Sequence, residues 1–179
     1  MIIPINSIDE INKIVRNEII KQSELPSERV LNGISLHGQD LVDKINDYAY
    51  KSYDQNNSLI VFDLSLTNSE NDISQTLENG KIQIYSTYSM KCYVYGYSSK
   101  QLVLKTISRL RSEESRQNLY EQGVHLISIN DIVDGKEFFN ETMYIRTDFT
   151  INVSIMSIYN KVETDSDLTT FDINILEAN

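Results

Sequence analysis

Two stretches of this sequence alternate apolar and polar residues for too long to form anything but strands. Between Ile82 and Tyr97, the residues Ile82, Ile84, Tyr88, Met90, Cys92 and Val94 fall on one side, with Gln83, Tyr85, Thr87, Ser89, Lys91 and Tyr93 on the other. From Met143 to Ile155 the same period brings Met143, Ile145, Thr147, Phe149, Ile151, Val153 and Ile155 together. Such alternation buries one face of a sheet and leaves the other available, as antiparallel strands do. Interrupted by helical stretches, these strands predict an α+β fold: a mostly antiparallel twisted sheet with helices packed on one face, in a single domain.

Helices are predicted from caps and from apolar residues three and four apart. Ser7 with Glu10 forms a capping box, Ile8, Ile11, Val15 and Ile19 follow at helical spacing, and Leu25-Pro26 ends the element. A second helix is expected from Asp40 to Tyr53, with Leu41, Ile45, Tyr48 and Ala49 inward, and a short strand lies before it around Val30 to Leu36. Leu59 to Leu66 reads as a strand with Ile60, Phe62, Leu64 and Leu66 on one face, and the polar stretch Thr67 to Gly80 as a loop. Ser98-Ser99 is expected to cap a third helix whose Val103, Leu104, Ile107 and Leu110 point inward. A polar turn from Ser112 to Gln122 then leads to a stop at Gly123. Val124 to Val133 returns as a strand and Asp134-Gly135 marks a turn. The chain thus divides into an N-terminal helical region (1–58), a core (59–159) and an acidic C-terminal extension (160–179), all within one structural domain.

With 179 residues the chain can bury one core of ordinary size. The net charge of −10 argues against general affinity for nucleic acid, which needs a surplus of cations on the contacting face. One cysteine, Cys92, rules out an internal disulfide and fits a reducing compartment. The N-terminus lacks the features of a signal peptide, and no apolar run is long enough for a membrane span.

Motifs for chemistry fail on spacing. Gly33-Ile34-Ser35-Leu36-His37-Gly38 is not a nucleophile elbow, because His37 stands where the second glycine must be. His37 and His125 with one cysteine make no zinc pattern. Asp165-Ser166-Asp167-Leu168-Thr169 has the D-x-D-x-T form of a phosphatase nucleophile loop, but only ten residues follow it. As a calcium loop the same pair would place Thr170 at the glycine position and Leu176 at the last ligand. No phosphate-binding glycine loop occurs. No catalytic residue, cofactor or metal is therefore expected.

Charge is unevenly spread. Seven Lys and Arg against two Glu lie between Lys81 and Arg116, a local excess of five positive charges on an acidic chain. Beside Tyr85, Tyr88, Tyr93, Tyr95 and Tyr97 this suits either a single-stranded nucleic-acid platform or a helix side meeting an acidic surface on an identical neighbour. On the second reading Lys100, Lys105, Arg109 and Arg111 are the candidate interface charges. The extension carries Phe171, Ile173 and Ile175 at a period of two against Asp172 and Asn174, a strand that pairs either with its own sheet or with a neighbour's edge.

The segment Met90-Lys91-Cys92-Tyr93-Val94-Tyr95-Gly96-Tyr97, the helix from Ser99 to Arg111, the strand Gly123 to Asp134 and the strand Tyr144-Ile145-Arg146-Thr147-Asp148-Phe149-Thr150-Ile151-Asn152-Val153 recur in a known order. In this the chain, over Leu59 to Tyr159, resembles the tail-terminator or neck (tail-completion) proteins of tailed bacteriophages and phage-tail-like bacteriocin particles. The resemblance implies a structural subunit without catalysis, forming a ring, expected as a hexamer, on the last ring of the tail tube. Its implied partners are further copies of itself, the tube, the sheath protein and a head connector, in a virion or headless particle assembled in the bacterial cytoplasm. No membrane and no sequence-specific nucleic acid are implied. Sheet edges and loops would supply the contacts, so Arg146, Phe171, Ile173 and Ile175 join the candidate interface residues. The longer second helix and the acidic extension depart from the family pattern. A head–tail joining protein or another tube component is the alternative, and a single-stranded nucleic-acid binder a further one.

Overall fold

Ser7 starts the first helix as its sequence requires: the Ser7 hydroxyl accepts from the Glu10 amide at 3.2 Å, and α1 runs Ile8–Ser23. It stops at Glu24, held in the left-handed region (φ 60), whose N–H donates to the Ile20 carbonyl. The computed structural model describes residues 7–33, 36, 38–50, 57–67, 73–76, 81–139 and 141–160. A 3-10 turn (Ser27–Arg29) and β1 (Val30–Asn32) follow, then α2 (Gln39–Tyr48) and β2 (Leu59–Leu66). Next come β3 (Ile73–Thr76), β4 (Lys81–Tyr95), α3 (Ser99–Leu110), α4 (Glu113–Glu121), β5 (Val124–Phe139) and β6 (Thr142–Asn160).

The sheet order is β1-β2-β4-β6-β5, with β3 also paired to β4. Only β1–β2 is parallel. On one edge of β4, β2 takes Tyr88 to Tyr95 and β3 takes Ile82 to Tyr85, while β6 pairs along the whole of the other edge. The α+β class, the largely antiparallel sheet and the single domain are as expected.

Three helices cover one face. Ile11, Val15 and Ile19 of α1, Leu102, Val103, Ile107 and Leu110 of α3 and Leu119 of α4 pack on Phe62, Met90, Cys92, Phe149, Ile151 and Val153. The main core therefore sits under the two long alternating strands. A second, smaller cluster lies on the opposite face, where Ile45 and Ala49 of α2 meet Leu59, Val61, Tyr95 and Tyr144. The unbroken run Leu59-Ile60-Val61-Phe62 reflects this, because a strand covered on both faces is apolar at successive positions.

Several local expectations are corrected. Helix α2 ends at Tyr48 rather than Tyr53, and residues 51–56 lie outside those described. Tyr50 instead packs edge-on against Tyr97 and Tyr144 and donates to the Ile145 carbonyl at 2.5 Å, an arrangement that competes with extending the helix. The stretch from Thr67 to Gly80 contains β3, because Ile73 to Thr76 find partners on β4. Ser98 makes no side-chain cap to α3, and Leu104 is half exposed while Leu102 and Thr106 are buried. Leu66 is likewise exposed, at the end of β2. The polar stretch Ser112 to Gln122 holds a helix, capped by the Ser112 hydroxyl accepting from the Ser115 amide. Asp134-Gly135 is no turn: a type I′ turn needs positive φ at both central residues, yet Gly135 has none and stands opposite Arg146 within the ladder. The chain reverses instead at Glu141, whose φ is 68.

One glycine is required by its surroundings. Gly96 (φ 132) ends β4 where an added Cβ would fall 2.9 Å from the Ser58 hydroxyl and 3.0 Å from the Asn57 carbonyl.

Candidate assembly interface

Because β5 continues through Asp134-Gly135, it and β6 form a long hairpin. Its last seven β5 residues, Val133–Phe139, pair without interruption with Thr142–Asp148. Strand β4 ends at Tyr95, opposite Arg146, so Thr142–Ile145 reach beyond it. Here the apolar side of the hairpin leaves the helix layer, and Phe138, Met143 and Ile145 are exposed, Phe138 at 68%. Apolar side chains of this size at the tip of a projecting hairpin are the kind of surface that subunit contacts cover.

The base of the hairpin is locked by charge. Arg146 Nη1 lies 2.5 Å from Glu137 Oε2 on β5, and Nη2 lies 3.1 Å from Asp148 Oδ2 on its own strand. The guanidinium also stacks 4.9 Å from the Tyr93 ring centroid, and Tyr95 donates to Glu137 at 2.6 Å. Burial raises the Asp148 carboxyl above its ordinary value, with Arg146 opposing. The Tyr95 hydroxyl is pushed well up, first by burial and then by Glu137. Tyr93, Tyr95, Glu137 and Arg146 border a cleft of about 610 Å³ between the start of α2 and the sheet, which Leu41, Val61 and Asp63 also line. Arg146 is thus engaged within its own subunit, tying β5, β6 and β4 together.

The four α3 cations lie along one helix, and each has a partner in the same chain. Lys100 meets Asp134 at 2.5 Å, and Lys105 and Arg109 both meet Glu24, at 2.6 and 2.5 Å. Arg111 donates to the Ile129 carbonyl at 2.9 Å. Hydrogen bonds from Lys105, then Arg109, hold the Glu24 carboxyl below its ordinary value, and Lys100 does the same for Asp134. These side chains dock α3 on α1 and β5, and they keep much exposed surface: Lys100 is 61% exposed. They lie on the helix side of the sheet, whereas Tyr85, Tyr93 and Tyr95 point to the other face by strand alternation and Tyr88 packs against the main core. A single-strand platform would need these α3 cations and the tyrosines on one face. Phe171, Ile173 and Ile175 lie outside the described residues.

Cys92 is buried, and burial pushes its thiol far up, so it is no nucleophile. Glu18, 5% exposed, is satisfied by Ser115 at 2.6 Å and Gln22 at 2.7 Å between α1 and α4. Among the described residues no group of three or more His, Cys, Asp or Glu is placed to hold a metal ion, and no helix is long and apolar enough to cross a membrane.

Glu137, Asp148, Tyr93 and Glu24 were missed as partners of the predicted cations. The spacing Arg146-x-Asp148 signals two charges on one strand face, but Glu137 becomes legible only when β5 is carried past Gly135.

A family model described as phage neck terminator protein matches residues 36–179, most of the chain. The chain belongs to the phage neck terminator family. The match takes in α2 and the acidic extension as well as the strands and helices between them, so the terminator pattern reaches beyond Leu59 to Tyr159 on both sides. No curated protein matches the chain.

Proposed function

We propose that this neck terminator is the subunit of a ring, most simply a hexamer, that sits on the last ring of a tail tube and ends its growth. The observation that carries the reading is the family match across residues 36–179, to which the exposed hairpin tip adds a contact surface. Each subunit would offer one face to the next in a heterologous contact, which makes a ring when the rotation closes. The ring would face tube and sheath protein below and a head connector above, or close a headless particle such as a bacteriocin, and it would assemble in the bacterial cytoplasm. Lys100, Lys105, Arg109 and Arg111 keep a role as interface charges through their solvent-facing sides, with Arg146 acting through the hairpin it locks.

Size-exclusion chromatography with light scattering, at high protein concentration and with tube protein added, tests the ring. A discrete oligomer with the mass of six chains is expected. A strict monomer that never associates with tube ends would overturn the proposal.

A further inference from the structure

The end strand of the described sheet is β5, and its outer backbone is not taken up by another described strand. Bulges between Leu126 and Ser128 and between Asn130 and Val133 break its first half. Bulges of this kind keep an edge from pairing with another chain. The seven residues Val133–Phe139 carry no bulge and form the longest regular run of the edge. Phe138 is exposed there, with Met143 paired opposite it and Ile145 opposite exposed Lys136.

We infer that Phe171–Ile175 of a second copy of this chain pairs antiparallel along the outer edge of Val133–Phe139. The segment has the period such a partner needs: Phe171, Ile173 and Ile175 would share one face and lie beside Phe138, extending the apolar surface of the hairpin. Charge fits as well. The approach to the segment carries Glu163, Asp165 and Asp167, with no basic residue from Glu163 to Asn179, while on the edge Asp134 and Glu137 are each taken up by a cation of the same subunit, Lys100 and Arg146, and exposed Lys136 is left to meet an acidic partner.

For the antiparallel pairing inferred here, length separates this subunit from its neighbour. Strand β6 is described as far as Asn160, and from Asn160 to Phe171 a fully extended chain spans at most about 40 Å. An antiparallel partner enters beside Phe139, which lies opposite Thr142, eighteen residues back along β6 from Asn160 and so about 60 Å away at the rise of a strand. The segment cannot reach the edge of its own hairpin in this direction, whereas a neighbour's can.

The inference rests on the reading that copies of this chain meet one another, and does not require that they close into a ring. Two populations of the full chain test it, one carrying Lys136→Cys and the other Ile173→Cys, with buried Cys92 left in place. Mixed under mild oxidation, they should give a disulfide joining the two kinds of chain, and adding Phe138→Asp to the first should cut its yield severalfold. No disulfide in the mixture, with both thiols open to maleimide, would overturn the inference. So would a disulfide formed only within a doubly substituted chain at high dilution. Cross-linking without a closed oligomer would refute the ring and leave the strand exchange standing, and a closed oligomer without cross-linking would do the reverse.

Discussion

Arg146 on β6 holds Glu137 on β5 at 2.5 Å while its second amino group reaches Asp148, so one guanidinium fixes the hairpin at the point where it leaves the body of the sheet. The pair is only about a quarter exposed on each side, which removes much of the solvent screening that makes surface ion pairs weak. Arg146→Ala leaves two carboxylates without their partner and should destabilise the fold by about 2 kcal/mol. Arg146→Lys should recover only part of this, because an ammonium cannot serve two carboxylates in a plane and stack on Tyr93 as well. Urea unfolding of the three proteins checks the order, and equal midpoints would show that the lock contributes nothing.

Acid should act on the carboxylates in opposite senses. Glu24 and Asp134 lie below their ordinary values, so each binds fewer protons in the folded chain than in the unfolded one. Their contribution is present above the ordinary carboxylate range and is lost as pH falls through the folded values. Asp148 is raised by burial, so its contribution is present at low pH and is lost as pH rises through its folded value. Plotted as unfolding midpoint against pH, Glu24→Gln should flatten the acid limb and Asp148→Asn should steepen it. Three parallel curves would contradict this assignment.

Helix α3 buries Leu102, which the inward stripe read from the sequence leaves out, and exposes Leu104, which that stripe includes. Leu102 is 1% exposed and Leu104 is 50% exposed. Leu102→Ala should cost about 2–5 kcal/mol through lost burial and the cavity left behind, while Leu104→Ala should stay within about 0.5 kcal/mol. Thermal melts of both variants distinguish them, and comparable losses would mean that α3 is rotated from the orientation described.

What the sequence showed, and where it misled, follows from which forces decide each element. The strands at Ile82–Tyr97 and Met143–Ile155 were legible because a period of two survives any choice of neighbours, and Ser7 because a cap is local. Leu104 was assigned inward because an apolar stripe three residues wide leaves the helix's rotation open by one position, which only the packing against α1 and the sheet fixes. Helix α4 was hidden by its polarity: Ser115 and Leu119 alone are buried, and Ser115 is held by Glu18, ninety-seven positions earlier. Asp134-Gly135 has the composition of a turn, yet Asp134 bonds to Lys100 and Thr147, and these long-range partners keep it in the strand. Of the candidate interface, the cations are legible and their internal partners are not, since Glu24 caps a different helix and Glu137 lies beyond the turn expected at Asp134-Gly135.

The most direct test of the ring proposal is electron microscopy of tail tubes assembled in the presence and absence of the purified full-length chain. A ring of added density at one end of each tube, together with tubes that stop elongating when more tube protein is supplied, is the predicted result. Bare ends and unchanged elongation at saturating protein would contradict it.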